Sequence, residues 1–255
     1  MRSTAETQQQ EARGRQFDED AAAQMERFVA DFGRVYRERN AALQEVTRAH
    51  HEALLHLALA ADFKDDDTGA HIVRIGYLAE ALALLLGEKV AYARMLRRAA
   101  PMHDIGKIGI PDGILKKPGP LTPDERTVMN THPAIGAEIL DRSRAPVFRL
   151  AAEVALTHHE RFDGRGYPRG LQGERIPLSG RITALVDFFD ALTMDRVYRP
   201  ACSVEKTLAM ILEERGKAFD PHIVDMFTAN AGNLDALRIR ISQQRPTFAQ
   251  MLDTD

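Results

Sequence analysis

Cysteine is almost absent from this chain of 255 residues, which contains Cys202 alone. One cysteine excludes a framework of internal disulfides and a zinc site made of thiolates, and it is compatible with a reducing cytoplasm. Long apolar runs are missing too, because the longest, residues 78–86, is interrupted by Glu80 and is far too short to span a bilayer. Residues 1–16 are polar and lack the apolar core of a signal peptide. We therefore expect a cytoplasmic protein without a membrane segment.

The chain also lacks a strong excess of charge of either sign. Its 34 Lys and Arg residues nearly balance its 37 Asp and Glu residues, giving a formal net charge of -3. No global basic field draws such a protein to DNA or to an anionic membrane. With 44% hydrophobic residues it can bury a sizeable core, as one large domain or two small ones.

Residues 18–67 contain no proline and only one glycine, Gly33. Apolar residues recur there at alternating steps of three and four: Met25, Phe28, Phe32, Val35, Ala42, Val46, Ala49 and Ala53. This heptad pattern, with Arg39 on it, favours a coiled-coil stalk that forms a homodimer, although an amphipathic helix packed on its own domain fits as well. We expect a disordered tail over residues 1–17 and a helical segment over residues 18–55.

Helical periodicity continues after residue 67. One apolar stripe consists of Ile72, Ile75, Leu78, Ala79, Leu82, Leu85 and Leu86. Helix starts are predicted after Thr122, Ser203 and Asp220, because each is a good N-cap residue and two of them precede proline. No run alternates with period two for long enough to make a sheet. The sequence predicts an all-α fold, with a helical domain over residues 56–240 and a tail over residues 241–255.

Histidine and aspartate cluster in five separated segments. These are Asp67 with His71, His103-Asp104, His132, His158-His159, and Asp187. Nitrogen and oxygen ligands without thiolates suit iron(II), manganese(II) or zinc(II). Because there are too many for one tetrahedral ion, they indicate two or more metals that share a bridging carboxylate. Each segment alone is more often structural, but five in one helical chain favour a metal site.

Loops rich in Gly and Pro follow two of the histidine-bearing helix ends, at residues 106–120 and 163–177. Substrate contacts concentrate in such loops. The second loop combines three glycines within residues 163–170, the ring and hydroxyl of Tyr167, and several arginines. Glycines let the backbone approach a ligand closely, and an aromatic ring can stack on a base. These features favour a loop that contacts a substrate over a solvated loop.

Two of these segments resemble the signatures of a known family. His103-Asp104-Ile105-Gly106-Lys107 is similar to the HDxGK motif of HD-domain phosphohydrolases, and residues 158–168, HHERFDGRGYP, resemble the HHExxDGxGYP segment of the HD-GYP subfamily. The resemblance spans about residues 56–230. It implies an HD-domain helical bundle after the long helix. It also implies a bacterial phosphodiesterase that hydrolyses cyclic di-GMP to linear pGpG, GMP or both, through a bridging water activated by iron or manganese.

The resemblance also implies roles by position. The metal ligands would be Asp67, His71, His103, Asp104, His132, His158, His159 and Asp187, with Asp104 bridging. The catalytic residues would be Asp104, Lys107 and Asp190, of which Asp190 would support the site. The substrate-binding residues would be Lys107, Gly166, Tyr167, Arg196 and Arg199. Asp67 stands where members with three metals carry Glu, so we expect two tightly held ions and leave a third open. Arg199 stands where Lys is common, which keeps the charge but changes its geometry.

Three alternatives stay open at this point. The same metals would hydrolyse a hybrid cyclic GMP-AMP, because base choice depends on the shape of the pocket. Some helical HD proteins use two irons to activate oxygen, although the GYP segment and its cationic partners argue against this for the present chain. A third alternative is a metal-bound protein with little turnover that docks to a diguanylate cyclase or an adaptor.

Overall fold

The computed structural model describes residues 2–64, 70–194, 200–247 and 250–251. The chain divides into two compact units, residues 1–50 and residues 51–255. None of the described helices is long and apolar enough to cross a membrane.

The described part of the first unit lies within helix α1 (Arg2–Lys64). The last residues of this helix, 51–64, belong to the second unit. Residues 2–17, for which the sequence predicts disorder, are helical. They contain no proline and a single glycine, and they are rich in Gln, Glu, Ala and Arg, which are good helix formers. The heptad residues that the structure describes are exposed, among them Phe28 at 66% and Phe32 at 64%.

The regular secondary structure among the described residues of the second unit is entirely helical, with no β-strand. The helices are α2 (Ala70–Leu85), α3 (Val90–Ala99), α4 (Asp112–Leu115), α5 (Pro123–Met129), α6 (His132–Leu140), α7 (Pro146–Thr157), α8 (Leu178–Thr193), α9 (Val204–Glu213), α10 (Pro221–Ala229) and α11 (Ala231–Gln244). Three 3-10 turns join them, at Ala100–Met102, Ile105–Gly109 and Gly173–Arg175. The all-α prediction is confirmed.

The core lies between α2, α3, α7, α8 and the helices after them. The stripe predicted for α2 is buried, since Ile75, Leu78 and Leu82 are fully inaccessible and pack with Leu96 and Phe189. Burying a side chain of this size contributes about 1.5–3 kcal/mol. The last turns of α1 add Leu55 and Ala58 to a second cluster, which also includes Met251 from the predicted C-terminal tail.

Local signals place the helix starts where the sequence predicts them. The Thr122 hydroxyl and the Glu125 side chain form a complete capping box at the start of α5. Ser203 caps α9 and Asp220 caps α10 through their side-chain oxygens. Each such cap satisfies a backbone N–H that the helix itself leaves without a partner.

Gly106 brings two parts of the backbone into direct contact. A Cβ at this position would lie 1.9 Å from the carbonyl oxygen of His132 and 2.5 Å from the amide nitrogen of Gly136. The 3-10 turn that follows Asp104 therefore presses against the first turn of α6, and only glycine fits there.

Candidate metal centre

Five segments of the chain bring seven side chains to one centre. His71 lies at the start of α2, His103 and Asp104 lie between the two 3-10 turns, His132 begins α6, His158 and His159 follow α7, and Asp187 lies in α8. Four of the five histidines are nearly inaccessible, with exposures of 0% to 4% for His71, His103, His132 and His158. The structure thus brings together all the predicted ligands that it describes.

The first cluster consists of Asp104, His132, His158 and His159. Each offers one ligand atom, and these atoms lie within 4.8 Å of one another. His132 Nε2 is 3.2 Å from Asp104 Oδ1, and His158 Nε2 is 3.5 Å from the same oxygen.

The second cluster consists of His71, His103 and Asp187, again with one ligand atom from each within 4.8 Å of the others. Asp187 Oδ1 lies 3.3 Å from His71 Nε2 and 3.8 Å from His103 Nε2.

Asp104 lies between the two clusters. Its Oδ1 faces the first cluster, while its Oδ2 is 3.4 Å from Nε2 of His103 in the second. The Nζ atom of Lys107 is 2.7 Å from Oδ2. Among the described side chains, this carboxylate is the one that has an oxygen beside each cluster, as expected of a bridging ligand.

The backbone fixes which ring nitrogen of each histidine faces the centre. Three Nδ1 atoms lie against backbone carbonyl oxygens: His103 on Ala100 at 3.0 Å, His132 on Met129 at 2.8 Å and His158 on Ala155 at 2.9 Å. When Nδ1–H donates to a carbonyl, Nε2 presents its lone pair. The three imidazoles are therefore oriented as metal ligands usually are.

His71 is oriented by a carboxylate instead. Its Nδ1 is 2.7 Å from Oδ2 of Asp190, which is fully buried. Arg74 holds both oxygens of Asp190, through Nε at 2.6 Å and Nη2 at 2.8 Å. The carboxylate of Asp190 thus lies behind His71, with both oxygens engaged. Asp190 is thus placed to support His71, which is the supporting role that the resemblance implies.

Sequence reasoning missed Arg74. A signal was available, because Arg74 stands within the apolar stripe of α2, between Ile72 and Ile75, and is 3% exposed. A buried arginine needs an anionic partner. The partner, Asp190, is 116 residues away, so the stripe alone does not identify it.

The two clusters differ in how they shift the pKa values of their histidines. Burial lowers the pKa of His158 and lowers that of His159 strongly, so both favour the neutral form that binds metal. Burial opposes protonation of His71 as well, but Asp187 and Asp190 outweigh it and raise the pKa of His71 well above its ordinary value. In the same way Asp104 raises the pKa of His103 against burial.

The carboxylates of the centre are held ionised. Burial would raise the pKa of Asp104, but Lys107 and His103 outweigh it and lower that pKa well below its ordinary value. For Asp187, His71 and His103 overcome burial and lower the pKa. An ionised carboxylate is the form that binds a cation.

Two buried polar atoms indicate that the residues suit a metal. His103 Nε2 and Asp104 Oδ1 are buried without a hydrogen bond of good geometry, although Asp104 Oδ2 lies 3.4 Å from the first and His132 Nε2 lies 3.2 Å from the second. Such atoms are rare and costly in folded proteins. Here both point into a space surrounded by nitrogen and oxygen ligand atoms, where a divalent cation would satisfy them.

The predicted substrate loop lies beside the first cluster. The ring of Tyr167 stacks on that of His159, with centroids 4.8 Å apart and planes at 26°. Burial first, and then the charge of Asp104, raises the pKa of Tyr167 to about 12. Gly166 is closely packed, since a Cβ there would lie 2.3 Å from the amide nitrogen of Arg161. Asp67, Arg196 and Arg199 lie outside the described residues.

Comparisons with known proteins agree with this site. A family model described as "HD domain" matches residues 34–223. The chain belongs to the HD-domain family, as its resemblance to the HD-GYP subfamily predicted.

Curated relatives carry names that describe their substrates. A "Cyclic di-GMP phosphodiesterase" of Vibrio cholerae is 46% identical over 72% of this chain and 40% of its own length. The "Cyclic di-GMP phosphodiesterase response regulator RpfG" of Xanthomonas campestris is 43% identical over 77% of this chain and 52% of its own length. A "3'3'-cGAMP-specific phosphodiesterase 2" of V. cholerae is 41% identical over 73% and 36%, respectively. The chain thus spans about half, or less, of the length of these relatives.

A solved structure supports the fold. The cyclic GMP-AMP specific phosphodiesterase V-cGAP3 of V. cholerae matches with a TM-score of 0.57 at 20% identity. The match covers 78% of this chain and 55% of that chain.

Proposed function

We propose that this chain is a metal-dependent phosphodiesterase that hydrolyses cyclic di-GMP to linear pGpG, GMP or both. The observation that carries the proposal is the pair of ligand clusters with Asp104 between them, together with the two buried polar atoms that lack a hydrogen bond of good geometry. The names of the relatives support a cyclic dinucleotide as the substrate.

Two divalent cations, iron or manganese, match the donor set. The first would be held by Asp104, His132, His158 and His159, and the second by His71, His103, Asp187 and the shared Asp104. When bound, such ions supply an activated water and stabilise charge in an in-line displacement at phosphorus. A third ion would need Asp67, which keeps that ion a prediction from the sequence.

The chain's own side chains would bind and orient the phosphodiester. Lys107 provides a cation at the centre, 19% exposed and 2.7 Å from Asp104, where it can neutralise charge on a phosphate oxygen. The hydroxyl of Tyr167 is protonated near neutral pH, as that of an ordinary tyrosine is, so it can donate a hydrogen bond to the substrate. The close packing of Gly166 fixes the backbone beside it. Contacts from Arg196 and Arg199 stay predictions.

Hydrolysis of 3'3'-cGAMP is the second candidate. It is favoured by the relative named as specific for that compound, at 41% identity. The two substrates differ in one base and share their phosphodiester linkages, so the metal centre would serve both. A cyclase or adaptor partner and a cytoplasmic location also stay proposals, the latter supported by the single cysteine.

Anaerobically purified protein tests the proposal. We expect about two iron or manganese ions per chain, as a shared-carboxylate site requires, and conversion of cyclic di-GMP, of 3'3'-cGAMP or of both to linear or mononucleotide products resolved by chromatography. His103→Ala with Asp104→Ala should abolish both metal retention and turnover. A matched control is His222→Ala with Asp225→Ala, an exposed pair on α10. Full turnover by the variant with His103→Ala and Asp104→Ala would contradict the metal-dependent mechanism.

We further propose that α1 forms a homodimer through its exposed apolar face. Phe28, Phe32, Val35 and Val46 are each more than half exposed, and such a continuous face commonly marks an interface. Asp31, Glu38 and Glu45 recur every seven residues along one edge of this face. In an antiparallel pair these edges would meet and repel, so we expect parallel helices.

Two double variants of the full chain test the dimer. Phe28→Glu with Phe32→Glu puts charges on the face and should shift sedimentation from dimer to monomer. Arg37→Glu with Gln44→Glu adds charge on the opposite side of α1 and should leave the dimer intact. A dimer that survives the first variant contradicts this interface.

A further inference from the structure

Glu160 is a buried carboxylate that belongs to neither ligand cluster. It follows His159 directly and is 3% exposed. Its Oε1 accepts a hydrogen bond from the amide of Arg169 at 2.8 Å, and its Oε2 accepts one from the amide of Leu171 at 2.9 Å. A charged side chain at this depth needs strong partners, and here both are main-chain groups of one loop.

That loop carries Tyr167. Its backbone folds back onto the residues from which it starts, because a Cβ at Gly166 would lie 2.3 Å from the amide nitrogen of Arg161 and 2.6 Å from the Cα of Glu160. The amide of Tyr167 donates to the carbonyl of His159 at 3.2 Å. The Tyr167 ring then lies on the His159 ring, at the edge of the first cluster.

Other bonds hold different parts of the loop. The amides of Phe162 and Asp163 donate to the carbonyls of Ala218 and Lys217, and Arg161 joins Asp163 to Glu214. These contacts fix the outgoing arm, residues 161–163. Glu160 fixes the return arm at residues 169 and 171, on the other side of Tyr167. Further along, the amide of Gly173 donates to the carbonyl of Phe162 at 2.9 Å, so Glu160 holds the part of the return arm that lies nearer to Tyr167.

The position of His159 does not depend on the Glu160 carboxylate. The amides of His158 and Glu160 donate to the carbonyls of Val154 and Thr157, at 3.0 Å each, so the end of α7 holds this segment. A change in the carboxylate should therefore disturb the loop and leave the metal ligands in place.

We propose that Glu160 is a positioning residue for substrate binding: its carboxylate closes the loop and holds Tyr167 against His159, where the tyrosine meets the dinucleotide. The two amides donate to two different oxygen atoms, and the carboxylate supplies both. A glutamine of the same size supplies one acceptor and one donor, so it leaves one of the amides without a partner. The inference rests on the proposed function for the identity of the ligand.

Steady-state kinetics of the metal-loaded full chain test the role in binding. Glu160→Gln should raise KM for the preferred cyclic dinucleotide about tenfold, the size expected for one lost charge-assisted hydrogen bond. The kcat and the metal content should stay unchanged, because the binding contact is lost and the centre is not. Glu160→Asp, too short to reach both amides, should not restore KM. The control is Glu174→Gln, an exposed glutamate in the following turn.

A double-mutant cycle tests whether Glu160 acts through Tyr167. In a Tyr167→Ala background, Glu160→Gln should change KM by less than about twofold, the usual limit of additivity for independent sites. A full tenfold effect in that background would show that Glu160 acts by another route, and it would overturn the proposal. Loss of bound metal in Glu160→Gln would overturn it as well.

Hydrogen exchange provides a readout that needs no activity. In Glu160→Gln, amides in a peptide covering residues 163–171 should exchange at least about tenfold faster than in the wild type and in Glu174→Gln, which corresponds to the loss of one buried hydrogen bond. Unchanged exchange in a protein that hydrolyses dinucleotides normally overturns the inference and leaves the proposed function intact. Faster exchange in a protein that neither binds nor hydrolyses them overturns the proposed function, and the substrate role with it.

Discussion

The two ligand clusters are built from the same residue types but are supported differently. In the first, His132 and His158 rest on backbone carbonyls and one carboxylate, Asp104, is present. In the second, His71 lies between two carboxylates, Asp187 in front and Asp190 behind. Arg74 in turn neutralises Asp190.

This difference determines what each cluster does before a cation arrives. His158 and His159, with lowered pKa values, favour the neutral form that can bind metal directly. The nearby carboxylates raise the pKa values of His71 and His103 against burial, so these two imidazoles favour the protonated form more than His158 and His159 do. A cation should therefore compete with protons more at the second cluster than at the first, and its affinity there should be lower and more sensitive to pH.

The largest effect is expected from removing the negative charge that the two clusters share. Asp104→Asn keeps the size of the side chain but removes the charge between the clusters, so both should lose affinity by more than the roughly 100-fold that an outer hydrogen-bond partner contributes. Hydrolysis should be lost with the ions. Titration with manganese, followed by elemental analysis, measures both sites. Asp124→Asn, exposed on α5, is the control. Retention of one ion at its original affinity would assign Asp104 to a single cluster.

An intermediate effect is expected from a change behind His71, which should weaken metal binding at the second cluster and not at the first. Arg74→Met with Asp190→Asn replaces the buried ion pair by neutral side chains and avoids leaving a buried charge unpaired. Without the carboxylate behind it, His71 becomes a poorer ligand, so the second ion should bind about 10–100-fold more weakly. The first ion serves as an internal control in the same titration. Equal weakening of both ions would show that the pair supports the fold as a whole and not His71.

The smallest expected effect is a difference between the two clusters in the number of protons that they release when metal binds. Because the pKa of His71 is raised, binding of the second ion should release more protons than binding of the first. Binding of the first should release little. Calorimetry in two buffers with different enthalpies of ionisation measures the release. Equal release at both sites would contradict the contrast between the clusters.

The same raised pKa has a defined consequence for stability. Its contribution to the metal-free fold is fully present below the ordinary histidine pKa of about 6.5, and it is lost as the pH rises through the higher folded value. His158 and His159 act in the opposite sense, because their lowered pKa values contribute stability at higher pH that is lost as the pH falls below about 6.5.

Features encoded locally could be predicted from the sequence. The caps at Thr122, Ser203 and Asp220 depend on side chains that reach only two or three residues along the chain. Burial of the α2 stripe followed from its periodicity. Seven candidate ligands that the structure brings together could be picked out from the sequence, because histidine and aspartate are unusual within or at the ends of apolar helices. The motifs HDxGK and HHExxDGxGYP contain four of the seven.

Most of the remaining features depend on contacts between residues that are not neighbours in the sequence, so no local pattern identifies them. Asp187 and Asp190 lie three residues apart in α8, yet one faces the centre and the other faces Arg74 on α2. The carboxylate of Glu160 reaches amides nine and eleven residues away, on a loop whose return path no local pattern specifies. Residues 2–17 were predicted to be disordered because they lack an apolar pattern, although their helix propensity is high.

Through the contact at Gly106, main-chain atoms limit the separation between the segment that carries His103 and Asp104 and the segment that begins with His132. Core side chains can be exchanged for others of similar volume without altering that separation. One added methyl group at position 106 would push two ligand-bearing segments apart and misalign the centre, although it carries no charge and touches no ion. The spacing of these ligands therefore depends on the close packing of two backbone segments at Gly106. A redesign of the centre for cations of another radius would have to change that contact first.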